Sequence, residues 1–319
     1  MSIEQLKIRL GDSLLINEPL ASHTNFKIGG PAACFLLAKA EDELINAVKT
    51  AKELAYPYFV LGGGSNILVS DQGFPGLVIK VDIQKLEVKD NTIIAGAGIK
   101  TIKLVESARD NGLTGLEPLA GIPGTVGGAI YGNAGTYKGI GDLVKEVKVF
   151  DGENIKTITK EEADFKYRHS RFKDTKEVIL EATLQLERGD IEASKKEIKE
   201  IMDKRYATQP YNSPCAGCTF KNVPLERFNK EIIAEYDLEK VLGQMVGKRE
   251  VPTAYLIDQA GLKGRSIGGA QISDKHTNFI INTGQATAKD VLELTKIIKK
   301  EIKDKFKVDL EEEIILVGF

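Results

Sequence analysis

Along the chain, short apolar runs alternate with amphipathic stretches. A short amphipathic helix over 2–10 is followed by a strand at 34–38. Next come a helix over 41–54, with Leu44, Ala47, Val48 and Ala51 on one face, and a second strand at 58–61, which together form a β-α-β unit. Further strands are predicted at 77–81 and 92–95 with a helix over 100–111. Short strands at 146–150, 155–158 and 178–186 then complete a mixed sheet. A helix over 191–205 ends at Gln209-Pro210-Tyr211-Asn212-Ser213-Pro214, whose spaced prolines mark a domain boundary. The remainder has its own rhythm: a loop at SPCAGCTFKN, a helix beginning at 253–260, and alternating strands at 266–272 and 278–282. A long helix at 288–306 and a last strand at 313–317 follow. No internal repeat or low-complexity tract interrupts it.

Two stretches break the pattern with glycine. Between Gly121 and Gly135 there are six glycines in fifteen positions, where 31 in 319 would supply one or two. Such a run is tolerated where the backbone takes positive φ or lies against a ligand. Apolar Ile122, Pro123, Val126, Ala129, Ile130 and Tyr131 are interleaved, which argues against a linker. A second cluster, Gly62-Gly63-Gly64-Ser65-Asn66, sits where the 58–61 strand ends. Backbone N–H groups in turns of this kind suit phosphate oxygens, so both clusters are expected to cradle a phosphate or cofactor. Neither has the GxGxxG spacing of a Rossmann fingerprint or the GK[ST] ending of a P-loop.

Composition narrows the classes. Lys and Arg number 44 against 46 Asp and Glu, a net charge of −2, so no overall field favours nucleic acid or an anionic membrane. Charges run through the apolar positions of MSIEQLKIRLGDSLL, and no apolar run approaches ~18 residues, so a cytoplasmic protein is expected. The three cysteines, Cys34, Cys215 and Cys218, do not suggest a disulfide framework. Cys215 and Cys218 form a C-x-x-C that zinc or redox chemistry could use. With no second C-x-x-C, and with His23, His169 and His276 scattered singly, no metal site is expected, and the redox reading stays open.

Taken in order, GGGSN, GIPGTVGGAIYGNAG, YRHS, AGCTFKN, LIDQAGLKG and the closing EIILVG resemble the UDP-N-acetylenolpyruvoylglucosamine reductase (MurB) family over nearly the whole chain. The resemblance implies an α+β protein with a two-subdomain FAD-binding domain of the PCMH or vanillyl-alcohol-oxidase type over 1–205, divided at about 1–82 and 83–205. A C-terminal α+β substrate-binding domain over 206–319 would follow. It implies NADPH-dependent reduction of UDP-N-acetylglucosamine enolpyruvate to UDP-N-acetylmuramate in peptidoglycan precursor synthesis, by a monomer or weak homo-oligomer. Non-covalent FAD would be held by Gly62, Gly63, Gly64, Ser65, Asn66 and Ile67. The second FAD segment would be Gly121, Ile122, Pro123, Gly124, Thr125, Gly127, Gly128 and Ala129.

By the same resemblance, Cys218 stands at the family's serine or cysteine proton donor, and Arg168 would clamp the substrate carboxylate. Glu313 would assist in polarising that carboxylate, while Tyr137 and Asn222 would contact substrate. Three features depart from the family pattern: Ile315 replaces a common arginine, Thr208 replaces a common lysine, and an insertion spans about 223–251. That insertion carries Arg227, Lys230, Lys240, Lys248 and Arg249 as replacement charges. The C-terminal domain is expected to close over the flavin platform. The alternatives are another FAD oxidoreductase of this fold acting on a sugar or hydroxy acid, and a non-catalytic flavin- or nucleotide-sugar-binding regulator.

Overall fold

The computed structural model describes residues 3–242 and 249–319. Its contacts divide the chain into two compact units that interleave in sequence. The first comprises Met1–Glu18, Pro31–Gly63 and Phe74–Lys204, and the second Pro19–Gly30, Gly64–Gly73 and Arg205–Phe319.

Two large sheets and a two-stranded ribbon, Leu113–Thr114 with Glu187–Arg188, make up the first unit. Phe74–Val81 lies between Pro31–Ala38 and Tyr58–Leu61, parallel to both, with Leu15–Pro19 on the outer edge. A central parallel strand is covered on both faces, which is why Leu77, Val78 and Ile79 run together as fully buried residues. The crossover helix Glu41–Glu53 turns Leu44, Ala47, Val48 and Ala51 inward and places Glu41, Asp42 and Glu43 at its positive N-terminal end. The second sheet has five antiparallel strands in the order Ile155–Thr159, Val144–Phe150, Val178–Gln185, Thr92–Gly96 and Leu86–Lys89. Its buried side chains and those of the first sheet form one hydrophobic cluster, joined by Leu104, Val105 and Ala108 from the helix Thr101–Asp110 and Val126 and Ile130 from the helix Val126–Gly132.

The second unit is an antiparallel sheet backed by one long helix. Strand order is Cys215–Cys218, Phe279–Asn282, Ala270–Ile272 and Ser266–Ile267. The helix Ala288–Phe306 opens on a capping box in which Thr287 and Asp290 bond reciprocally, and its stripe of Val291, Leu294, Ile298, Ile302 and Phe306 is buried. Asp71, from the segment Gly64–Gly73 that separates the second and third pieces of the first unit, accepts the Ala288 and Lys289 amides at 2.8 and 3.1 Å. Phe26, Ile28 and Leu68 complete this unit's core.

Two expectations need correction here. SPCAGCTFKN is not a loop: Cys215–Cys218 is a strand, with a bulge that opposes three steps of chain to two on Phe279–Asn282. The stretch 266–272 is not one strand but a hairpin turning at Gly268-Gly269. Gly268 takes φ 53, and a Cβ on Gly269 would come within 2.3 Å of the Ala286 amide nitrogen. The helical spacing of 223–251 is realised as Lys230–Glu235, capped by Asn229, while Val223–Pro224 pairs with Glu250–Val251 to close the excursion. Phe228, Ile232 and Leu238 bury themselves in the second unit's core. Three of its basic residues are engaged locally: Arg227 pairs with Glu311, Lys240 with Asp237 and Arg249 with Glu239, while Lys248 lies outside the described residues.

Candidate functional site

In the first unit the two glycine clusters meet. A Cβ on Gly63 would fall 2.6 Å from Gly124 Cα, and one on Gly62 would fall 2.9 Å from Thr125 Oγ1, so the two backbones lie against each other. Gly121 and Gly124 take φ values of 74 and 128, which side chains rarely adopt. Thr101, opening its helix, bonds through its hydroxyl to the Ile122 carbonyl and through its amide to that of Gly124, fixing the loop from beneath. The helix Val126–Gly132 begins directly after Thr125.

Not every amide in this run is open to a phosphate. Val126 and Gly127 donate to the carbonyls of Ile99 and Ala97 at 2.8 and 2.9 Å, so part of the glycine excess serves close packing of backbone on backbone. A Cβ on Gly127 would meet Ala97 Cβ at 2.9 Å. Two features still fit a bound dinucleotide. The Thr125 hydroxyl is buried without a hydrogen-bond partner. Gly128 is exposed, and a Cβ there would meet only Thr125 Oγ1, at 3.7 Å. Gly128→Ala is therefore expected to be neutral or stabilising in the apoprotein, since alanine gains up to ~1 kcal/mol over glycine in a helix. FAD affinity is expected to fall about tenfold, ~1.4 kcal/mol. Flavin titration beside apoprotein melting checks this; unchanged affinity would remove Gly128 from the cradle.

The entry to the run is anchored by a buried carboxylate. Glu117, 3% exposed, accepts from the Gly115 amide at 2.7 Å, Ser194 Oγ at 2.7 Å and Thr114 Oγ1 at 3.1 Å. Burial works against its charge, but these bonds outweigh it and hold its carboxyl below the usual range. One turn further along the helix Ile191–Thr208, Glu197 accepts the Tyr137 hydroxyl at 3.1 Å. Burial and that carboxylate push the phenol up to about 12. Tyr137 is 47% exposed. Ser194→Ala is expected to destabilise the protein by ~1–3 kcal/mol at neutral pH, the cost of a buried charge losing a donor. Because the folded carboxyl is depressed, this contribution is present above the unfolded value of about 4.3 and disappears as pH falls through the folded one. Urea unfolding at pH 7 and pH 3 tests it; an equal loss at both would assign the effect to packing.

Arg168 occupies the third position of the turn Lys166–His169 with φ 53, a place glycine or asparagine usually takes. Its Nη1 donates to the Gly135 carbonyl at 3.0 Å, and its guanidinium lies over the Tyr167 ring at 5.5 Å. Lys173 Nζ binds the Arg168 carbonyl at 2.8 Å, while the buried Ser170 hydroxyl bonds to the Tyr131 carbonyl at 2.7 Å. The turn is thus held at the far end of the glycine run. A strained backbone kept under a charged side chain is a signal of function.

In the second unit the chain around Asn66, the end of the Cys215–Cys218 strand and the segment carrying Glu313 are laced together by hydrogen bonds to the backbone. The Glu313 amide donates to the Thr219 carbonyl at 2.8 Å and the Lys221 amide to that of Glu311 at 2.9 Å, so the chain leaving Cys218 runs antiparallel to 311–313. Asn66 ties in the glycine cluster: its side-chain amide donates to the Glu313 carbonyl at 3.1 Å, and its own carbonyl accepts from Ile315 at 3.0 Å. Ile67–Val69 and Ile315–Val317 then pair in parallel. The glutamate run separates by partner. Glu311 pairs with Lys221 and Arg227, and Glu312 with Lys299, whereas the half-buried Glu313 is placed by backbone bonds to the Cys218 strand and to Asn66. Asn222, expected at substrate, has its side-chain oxygen on the Thr253 amide at 3.3 Å, capping the helix Thr253–Gln259. His276 was not singled out by the sequence, yet its ring packs on Phe279, the residue opposite Cys218, and its Nδ1 is buried without a hydrogen-bond partner. Burial holds that imidazole below its usual value. Only its place beside the CAGC strand, visible after folding, points to it.

A mixed α+β unit with two glycine turns abutting below an orphaned threonine hydroxyl has the features of an FAD-binding oxidoreductase, and residues 32–156 match the family described as FAD binding domain. Residues 209–317 match the C-terminal domain of UDP-N-acetylenolpyruvoylglucosamine reductase. The chain belongs to the UDP-N-acetylenolpyruvoylglucosamine reductase family. It is 41% identical to the enzyme of that name from Caldanaerobacter subterraneus subsp. tengcongensis, covering 99% of this chain and 98% of the relative. It is 39% identical to that of Bacillus subtilis, with coverages of 99% and 98%. The crystal structure of the reductase from Thermus caldophilus superposes with a TM-score of 0.75 at 35% identity, covering 95% of this chain and 98% of that one.

Proposed function

We propose that the protein reduces UDP-N-acetylglucosamine enolpyruvate to UDP-N-acetylmuramate with NADPH, using non-covalent FAD, in peptidoglycan precursor synthesis. When bound, the flavin supplies hydride drawn from NADPH. The chain's own residues hold the cofactor through 62–67 and 121–129. They also manage charge and a proton on the substrate. Hydride entering the terminal vinyl carbon builds negative charge on the neighbouring carbon and its carboxylate, so a cation and a proton donor are required. Arg168 meets the carboxylate with a planar fork that stays charged at any working pH. Cys218 gives its proton to the carbon. Glu313 shares the carboxylate with Arg168, in protonated or water-linked form, since two bare carboxylates repel.

The observation carrying this reading is the lacing of Asn66, Thr219 and Glu313. It fixes the donor strand and the glutamate at adjacent positions although they are almost a hundred residues apart in sequence. Among the described residues no helix is long and apolar enough to cross a membrane. We place the reaction in the cytoplasm, with the UDP-sugar and NADPH as partners and the protein as a monomer or weak homo-oligomer. The test is optical: the purified protein should show flavin absorption, bleach with NADPH, and regain colour on addition of the enolpyruvyl sugar. A flavin that bleaches and is not reoxidised by that sugar would point to another substrate.

A further inference from the structure

The bulge in Cys215–Cys218 changes what its two cysteines can do. In a regular strand, residues three apart face opposite sides. Here Cys215 pairs with Ile281 and Cys218 with Phe279, two residues apart and therefore on one face, so the extra residue brings both thiols to the same side. Burial agrees: Ala216 between them and Ile280 between their partners both lie in the hydrophobic core, so the cysteines occupy the opposite face. Two residues of extended chain span about 6.8 Å, the outer limit of the Cα separation a disulfide bridges, so closing one requires the strand to bend between the two cysteines. Gly217, at φ 80, bends the strand between them, and a Cβ there would meet nothing within 4 Å, leaving open space beside the bulge. The Gly217 amide donates to the Cys215 thiol. Both stand as thiols, and each is partly exposed.

Resting on the assignment of Cys218 as proton donor, we infer that Cys215 and Cys218 are an oxidisable dithiol. Peroxide converts it to a disulfide, stopping turnover until a thiol reductant restores it. The Cys218 thiolate attacks one peroxide oxygen and the O–O bond breaks. The departing hydroxide takes up the proton lost by Cys218, leaving water and a sulfenic acid. The Cys215 sulfur then displaces the sulfenic oxygen, which leaves as water with the Cys215 proton. Two thiols are oxidised, and one peroxide is reduced to two waters. Burial pushes the Cys215 thiol up, which suits this second, resolving role. Cys34, 0% exposed and beside the Tyr56 hydroxyl, serves as an internal control.

The test uses the FAD-loaded full-length protein treated with hydrogen peroxide. Turnover is expected to fall about 100-fold, the scale of a lost general acid. Reduction of the flavin by NADPH should continue, and dithiothreitol should restore turnover. The peptide holding both cysteines is expected to lose two hydrogen masses. Cys215→Ser should keep basal turnover and form no disulfide. A second peroxide then carries its unresolved Cys218 sulfenic acid on to the sulfinic acid with release of water, so the share of inactivation that dithiothreitol fails to reverse should rise with peroxide concentration well above that of the unaltered protein. If no such disulfide forms while Cys218→Ala is inactive, the dithiol inference is overturned and the donor assignment stands. A quantitative disulfide with turnover intact would overturn both.

Discussion

Cys218→Ala is expected to slow turnover by ~10²–10⁴ while reduction of the flavin by NADPH proceeds normally, since a positioned general acid contributes on that scale only to the protonation step. The split between half-reactions is diagnostic. Cys218 sits on a strand whose neighbours, Thr219 and Phe220, are buried and hydrogen-bonded to Glu313 and Asn278, so removing its sulfur leaves the frame in place. Cys218→Ser should retain partial activity, because a hydroxyl can donate a proton from nearly the same position. Stopped-flow measurement of the two half-reactions checks all of this. Normal reoxidation of the alanine variant by the enolpyruvyl sugar would remove Cys218 from the chemistry.

Arg168→Gly is expected to lower turnover by ~10²–10³, the loss seen when one preorganised donor to a developing charge is removed. Thermal stability should nevertheless hardly change. Glycine relieves a left-handed backbone that disfavours a side chain by ~1–2 kcal/mol. The lost bond to the Gly135 carbonyl returns about the same amount, near 1 kcal/mol. A large fall in melting temperature alongside the activity loss would show that Arg168 mainly holds the turn together. Unaltered kinetics would separate it from the carboxylate altogether.

How far the sequence carried depended on whether the signal was local. The helices Glu41–Glu53 and Ala288–Phe306 announce themselves through period and caps, because the residues that form them are the residues that bury them. The glycine clusters stood out too, but their reason was only half legible. That the amides of Val126 and Gly127 are taken by the carbonyls of Ile99 and Ala97 depends on packing between elements. Ile67–Val69 escaped notice because three apolar residues carry no period, and its partner, Ile315–Val317, lies at the other end of the chain. CAGC looked like a loop because glycine and cysteine dilute the alternation that marks a strand, and a bulge disrupts what remains. The positive φ of Arg168 has no sequence signature, since nothing in Tyr-Arg-His marks the third residue of a tight turn.

Interleaving of the two units has a consequence for synthesis. Phe26, Ile28 and Leu68 are made early, yet they belong to a core completed by Arg205–Phe319, which leaves the ribosome well over a hundred residues later. For roughly ten to fifty seconds, at ~5–20 residues per second, these side chains lack their native partners while the sheets of the first unit form. Truncation after Lys204 would leave them in that state permanently. Such a fragment should therefore engage chaperones or aggregate, although every strand of both its sheets is present.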